Sequence, residues 1–232
     1  MYCGAVVRYA ALDRCEARLI GVGDRAVICV NNKSRVERQR FSVGHELGHW
    51  LADRGRVSFL CAKEAMDTTT KVRSPIEEKA NRFAAELLLP RYLLKERLKD
   101  APMTVDTVTS VASSYTTSLR ATAVRIVELG FKPTMAIVTE GHRRLWFTRS
   151  SEVPKSFWPH SSLGPAAGID ELVRGSRLRT DPEEFTADSF LDVEGAEDYD
   201  VVAQSIRLDG NMVLTMLWWQ DESQILDALD DD

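Results

Sequence analysis

Apolar positions change their period along this chain. Through the first half they recur mainly at three- and four-residue spacing. Near the start and beyond residue 133 they run in short continuous or alternating blocks. Leu19-Ile20 and Ala26 to Val30 bracket Gly21, Gly23 and Asp24, which predicts a hairpin whose second strand is buried. Asn31-Asn32 ends it as a turn. Ser34 with Glu37 fits a capping box, and Val43, Leu47, Trp50 and Leu51 then form one apolar helical stripe. Gly44 and Gly48 each cost that helix about 1 kcal/mol relative to alanine. Close approach of another helix or of a substrate backbone is the expected return. Gly55 is the expected C-terminal cap.

Residues 56 to 75 read as a loop, with Phe59-Leu60-Cys61 as a short strand. Pro75 to Leu89 is a strong helix. Ser74 suits its N-cap, Pro75 its first position, and Pro90 stops it. Ala80, Phe83, Ala84, Leu87 and Leu88 are its expected buried stripe. Tyr92 to Lys99 is a short amphipathic helix. Residues 104 to 130 predict two helices around Tyr115-Thr116-Thr117. Their stripes are Val105, Val108, Val111 and Ala112, then Leu119, Ala123, Ile126 and Val127, and Gly130 closes the pair. That outline is helix-turn-helix-like. Strands are expected at Met135 to Val138, Leu145 to Thr148, Val201 to Ile206 and Met212 to Trp219. Asp209-Gly210 turns the last two into a hairpin. Leu217-Trp218-Trp219 reads as core, and 227 to 232 as a frayed acidic end. The fold class is α+β. The expected domains are 1–100, a helical segment 101–131, and a small α+β domain 132–232.

Charge and composition narrow the partners. The net charge of -5 gives little attraction to phosphate. On the second helix of the helix-turn-helix-like pair only Arg120 and Arg125 are cationic, which favours packing or partner docking over a DNA reader. No apolar run is long enough to span a bilayer. The start lacks the basic-then-apolar order of a signal peptide, so a cytoplasmic protein is expected. Cys3, Cys15, Cys29 and Cys61 form no C-x-x-C pair. They read as free thiols, with Cys29 buried.

The chemistry concentrates in His45-Glu46-Leu47-Gly48-His49. Histidines four apart on a helix share a face, so both imidazoles can reach one metal ion. Glu46 can reach a water activated by that ion. This is the H-E-x-x-H pattern of zinc peptidases. A catalytic zinc needs a third protein ligand. Glu77, Glu78 and Glu86 lie on the next helix. Glu77 shares a face with Asn81, whose amide oxygen can accept the second ring N–H of a ligating histidine. Glu78 points about 100° away and is the weaker candidate. Glu86 is also off that face. His142 and His160 lie in the strand-rich region, with nothing to link them to the helix.

RQRFSVGHELGHWL followed by EEKANRFAAELLLP closely resembles the ImmA/IrrE family of metallopeptidases. The resemblance covers residues 26 to 90, and more loosely the helices to 130. It implies a gluzincin-like zincin domain holding one Zn2+ per chain, with Mn2+ or another divalent metal as alternatives. Matched to this sequence, the implied ligands are His45, His49 and Glu77, with Glu46 as base. The family typically cleaves a helix-turn-helix repressor encoded nearby, relieving repression of phage, mobile-element or stress genes. Some members carry a helix-turn-helix and a GAF-like sensory domain, which residues 104–130 and 133–220 match in outline. Two departures stand out. Less chain precedes the strand at Arg18 than the family usually has, so the N-terminus reads as shortened. Gly44 stands where the family more often has alanine. On this reading Val27 to Val30 offers a strand edge to an extended substrate. Tyr115, His142 and several arginines are oxyanion donors by chemistry alone. A regulatory or sensory binding protein with a silent site is the alternative, and a DNA-binding regulator a weaker one.

Overall fold

Gly23, at φ +60°, turns the chain back between two strands. A computed structural model, which describes residues 3–52, 74–220 and 225, pairs β2 (Ala17–Val22) antiparallel with β3 (Arg25–Asn31). The hairpin is the expected one. The strand β1 (Ala5–Ala10) precedes it and pairs parallel with β3. The sheet order is therefore β1-β3-β2. This corrects two expectations. The first strand lies upstream of Arg18, and β3 has both edges taken, so Val27 to Val30 cannot accept an added strand.

Alternation along β2 and β3 puts Ala17, Leu19, Ala26, Ile28 and Val30 on one face. The helix α1 (Val36–Ala52) covers that face, with Trp50 buried in the cluster. Its indole N–H donates to the Cys3 carbonyl at 2.7 Å. Gly21 lies under the ring, where a Cβ would come within 2.7 Å of Trp50. Cys29 is half-buried rather than buried, because it points to the opposite face. Leu51 is exposed, outside the stripe assigned to it. Ser34 is not the cap of α1. Its hydroxyl donates to the Glu16 carboxylate, while the first helical acceptor is the Arg35 carbonyl, 2.9 Å from the Gln39 amide.

The second long helix, α2 (Pro75–Leu88), starts as its sequence predicts. Ser74 accepts from the Glu77 amide at 3.3 Å, and Pro75 sits in the first turn. It runs antiparallel along α1, small residue on small residue. A Cβ on Gly44 would lie 3.2 Å from the Ala84 Cα, and one on Gly48 3.2 Å from the Ala80 Cα. Of the two expected returns for these glycines, the close neighbour is a helix. Leu87 faces solvent, against expectation. The Gly55 cap, the loop to residue 73 with Phe59 to Cys61, and the 227 to 232 end lie outside the described residues.

Two compact units divide the chain: Met1–Leu93 with Ser113–Ser118, and Leu94–Ala112 with Leu119–Asp232. The helix α3 (Arg91–Leu98) leads to α4 (Val105–Tyr115), and α5 (Leu119–Glu128) follows a turn with Thr116 at φ +52°. The second unit has a five-stranded antiparallel sheet built from β4 (Thr134–Glu140), β5 (Arg143–Arg149), β6 (Glu183–Thr186), β7 (Asp200–Arg207) and β8 (Met212–Trp218). Its order is β5-β4-β8-β7-β6. Met135, Ile137, Ala203, Val213 and Leu217 meet Ile169 and Leu172 of α6 (Ile169–Arg174) in one core, with Trp219. The helix α5 lies over β4 and β5. The Leu217-Trp218-Trp219 run is core, as read. Neither cation of α5 is presented to a duplex: Arg125 is buried, and the Arg120 guanidinium stacks 4.9 Å over the Trp146 ring. Among the described residues no helix is long and apolar enough to cross a membrane.

Two predictions follow from this packing. Replacing Gly48 by valine forces branched carbons into the α1–α2 contact. It should cost about 1–3 kcal/mol by overpacking and weaken metal uptake, read by thermal unfolding and zinc calorimetry. Wild-type values for both would contradict the close contact. In the second unit, His142 faces the Leu163 carbonyl at 2.9 Å and Asp170 at 3.1 Å. Two acceptors favour the imidazolium, so its pKa is raised, first by the Leu163 bond and then by Asp170. Its contribution is full below about pH 6.5 and is lost as pH rises through the higher folded pKa. His142→Gln should therefore destabilise the fold at pH ~5.5 more than at pH ~8.5, by under about 1 kcal/mol for so exposed a pair, read by thermal unfolding at the two pH values.

Candidate metal centre

The antiparallel run of α2 along α1 sets His45 beside Asn81 and His49 beside Glu77. The Nε2 atoms of His45 and His49 stand 3.1 Å apart. Glu77 reaches both, with Oε2 at 3.2 Å from His45 and Oε1 at 3.3 Å from His49. Both imidazoles are buried, and the Glu77 side chain is 22% exposed. The Glu77 carboxylate lies in the first turn of α2, where the helix dipole favours a negative charge. Ser74 and Pro75 fix where that turn begins, so they also fix where Glu77 points.

Asn81 sets the tautomer of His45. The Nδ1–H donates to Asn81 Oδ1 at 2.9 Å. The Nε2 of His45 is then a lone pair aimed at His49 and Glu77. Nitrogen lone pairs and carboxylate oxygens at this spacing repel one another unless a cation or proton lies between them. Around a tetrahedral ion with bonds of about 2.1 Å, donors stand about 3.4 Å apart. The three measured separations lie close to that value, and one donor atom from each side chain can be chosen within 4.8 Å of the others. The donor set therefore fits a divalent metal ion.

Of the three glutamates, Glu77 is the one brought to the histidines. Glu78 points to solvent and pairs with Arg82 at 3.2 Å. Glu86 accepts from the Arg91 amide at 3.0 Å at the start of α3. Glu46 is fully buried on α1 beside His45. His142 and His160 belong to the other unit, where His160 faces the Asp188 carbonyl at 2.8 Å. Tyr115 belongs to the same unit as the triad, and its carbonyl accepts from Arg40 at 3.3 Å. Trp50 was read as part of the apolar stripe, but its bond to the Cys3 carbonyl and its seat over Gly21 were not. The available signal was a bulky indole one residue after His49, with a glycine on the facing strand.

A family model described as the IrrE N-terminal-like domain, of a peptidase family, matches residues 3–127. The chain belongs to the ImmA/IrrE family of metallopeptidases. The family match extends through α5, well past the triad. Membership agrees with a divalent metal at the triad and with protein as the substrate class. A solved structure titled Mycobacterium tuberculosis transcriptional regulator is similar in fold, with a TM-score of 0.55 at 11% identity. The likeness covers 95% of this chain and 68% of that one. No curated protein matches.

Asn81→Ala should leave the helices folded and weaken zinc binding by about 10–100-fold, because His45 loses the acceptor that fixes its ring. Competitive chelator titration checks this. Unchanged affinity would remove Asn81 from the site.

Proposed function

We propose that the chain is a zinc-dependent endopeptidase that cleaves a helix-turn-helix repressor and so relieves repression of phage, mobile-element or stress genes. The observation that carries this reading is the convergence of His45, His49 and Glu77, with Asn81 behind His45. Two imidazoles and one carboxylate are a catalytic zinc donor set, one ion per chain. A site with two nitrogens suits zinc better than manganese. When bound, the ion supplies Lewis acidity, acidifying water and polarising the scissile carbonyl.

The protein side chains supply the rest. His45 and His49 would hold the ion through their Nε2 atoms, the first oriented by Asn81. Glu77 brings negative charge to the donor set from the start of α2. Glu46 takes the proton from the attacking water and hands it to the leaving nitrogen, which turns a poor leaving group into an amine. Its place in the H-E-x-x-H run, buried on α1 directly after His45, supports that role.

The repressor as substrate rests on the family resemblance, and a cytoplasmic setting is proposed with it, as where such a repressor acts. The division into 1–100, 101–131 and 132–232 is offered as a reading of the sequence pattern. The antiparallel sheet β5-β4-β8-β7-β6, layered on both faces, suits a GAF-like sensory domain in outline. A second reading is a regulatory binding protein with a silent site. The likeness to a protein titled a transcriptional regulator supports it.

Co-expression with the helix-turn-helix protein encoded beside it separates the two readings. Wild-type chain should cut that protein, and Glu46→Gln should keep one zinc per chain yet lose at least about 100-fold in rate. Chelation should stop wild-type cleavage, and added zinc should restore it. Cleavage that persists unchanged in Glu46→Gln would sink the role of Glu46. Failure of the wild-type chain to bind zinc would favour the silent-site reading.

A further inference from the structure

Parallel pairing with β3 fixes which way each amide of β1 points. At one end the Ala26 amide donates to the Gly4 carbonyl at 2.8 Å, and at the other Asn32 donates to Ala10 at 3.0 Å. Between them the register runs from Ala5↔Ala26 to Ala10↔Asn31. In a ladder, alternate residues turn their N–H and C=O groups to the same neighbour. Val6, Arg8 and Ala10 therefore bond β3. Ala5, Val7 and Tyr9 point their backbone groups away from it, and among the described residues no strand pairs with them.

The two edges of the sheet differ. On β2, the Asn31 amide bonded to the Glu16 carbonyl turns Ala17 and Leu19 outward. Those residues are 0% and 3% exposed, so the edge is covered there, while Gly21, which turns the same way, is half-buried. On β1 the outward residues Val7 and Tyr9 are 37% and 57% exposed. Val6, which faces the other way, is also 37% exposed. Natural edges are usually blunted by proline, bulges or several charges. The sequence Ala5-Val6-Val7-Arg8-Tyr9-Ala10 carries one charge and no proline.

We propose that β1 is a homodimer interface: two copies pair antiparallel through this strand about a dyad at Val7, joining their sheets into one. The occupant is a second copy because the strand is complementary to itself in that register. Outward-facing residues must meet outward-facing residues, which sets Val7 opposite Val7 and Ala5 opposite Tyr9. Small then faces large. On the remaining positions Val6 meets Arg8, so the arginines are not directly opposed and each lays its stem along a valine. This register pairs Ala5 to Tyr9 and leaves Ala10 beyond them, and its two-fold symmetry closes the assembly at two chains. A strand of six residues gives a contact smaller than the standard interface of about 800 Å² per partner. Association in the micromolar range is expected. The dimer does not depend on the peptidase reading.

Sedimentation velocity of the full chain from ~1 to ~300 µM tests this, with amide exchange measured at both ends of the range. The mass should rise from 26.1 kDa toward twice that value. The Val7 and Tyr9 amides should slow in exchange as it does. Val7→Lys, which sets two ammonium groups against each other at the dyad, should stay monomeric with an unchanged melting temperature. Val7→Pro should also stay monomeric, since it removes an amide that β3 does not use. A wild-type chain monomeric at the highest concentration would overturn the proposal. So would a folded Val7→Lys chain that dimerises as the wild type does, or dimerisation that leaves the Val7 and Tyr9 amides unprotected.

Discussion

Two glycines on one helix and two alanines on another determine how near α1 and α2 approach. Gly44 meets Ala84 and Gly48 meets Ala80 at distances that leave no room for a further carbon without adjustment. That approach is what carries the Glu77 carboxylate to within 3.2 and 3.3 Å of His45 and His49. The helix-weakening effect of each glycine, about 1 kcal/mol, is thus offset by a contact on which the donor set depends. The opposite face of α1 is fixed independently, by Trp50 against the strand cluster and by its bond to Cys3. The histidine-bearing helix is held from both sides, so its imidazoles are oriented by the protein itself.

Orientation continues outward from the donors. Asn81 holds the ring of His45, Ser74 caps the turn that presents Glu77, and Pro75 gives that turn its start. Each uses a short-range rule of helix chemistry to place a long-range partner. Glu46, next to His45 in the chain, is also buried. Family membership supplies the reaction class, a peptidase. The second unit contributes no donor to this triad, and its layered antiparallel sheet is built around a core of its own.

Much of this was legible in the sequence, because the rules involved are local. Histidine spacing, the Ser74-Pro75 start and the small residues at 44 and 48 pointed to the right faces. Choosing Glu77 over Glu78 and Glu86 took helix phase together with the resemblance, and α2 sets the Glu77 carboxylate against both histidines. Other features were not legible. The strand β1 has no period that separates it from a loop, since an edge strand exposed on both sides does not need alternation. Leu51 and Leu87 sat at stripe positions yet face solvent, because a stripe only states which side of a helix is apolar. It does not state how far the neighbouring element reaches. The strand β6 and helix α6 were missed because β6 is mostly exposed and α6 is only six residues long in a glycine- and proline-rich region.

The claim on which the rest stands is that one ion sits between His45, His49 and Glu77. X-ray absorption at the zinc edge, on purified chain loaded with one equivalent, tests it most directly. An ion at this triad gives four light donors at about 2.0–2.1 Å, two of them imidazole, and no sulfur. A sulfur shell at about 2.3 Å would contradict it by placing the ion on the cysteines instead. An imidazole signal that survives unchanged in a His45→Ala, His49→Ala chain would do the same.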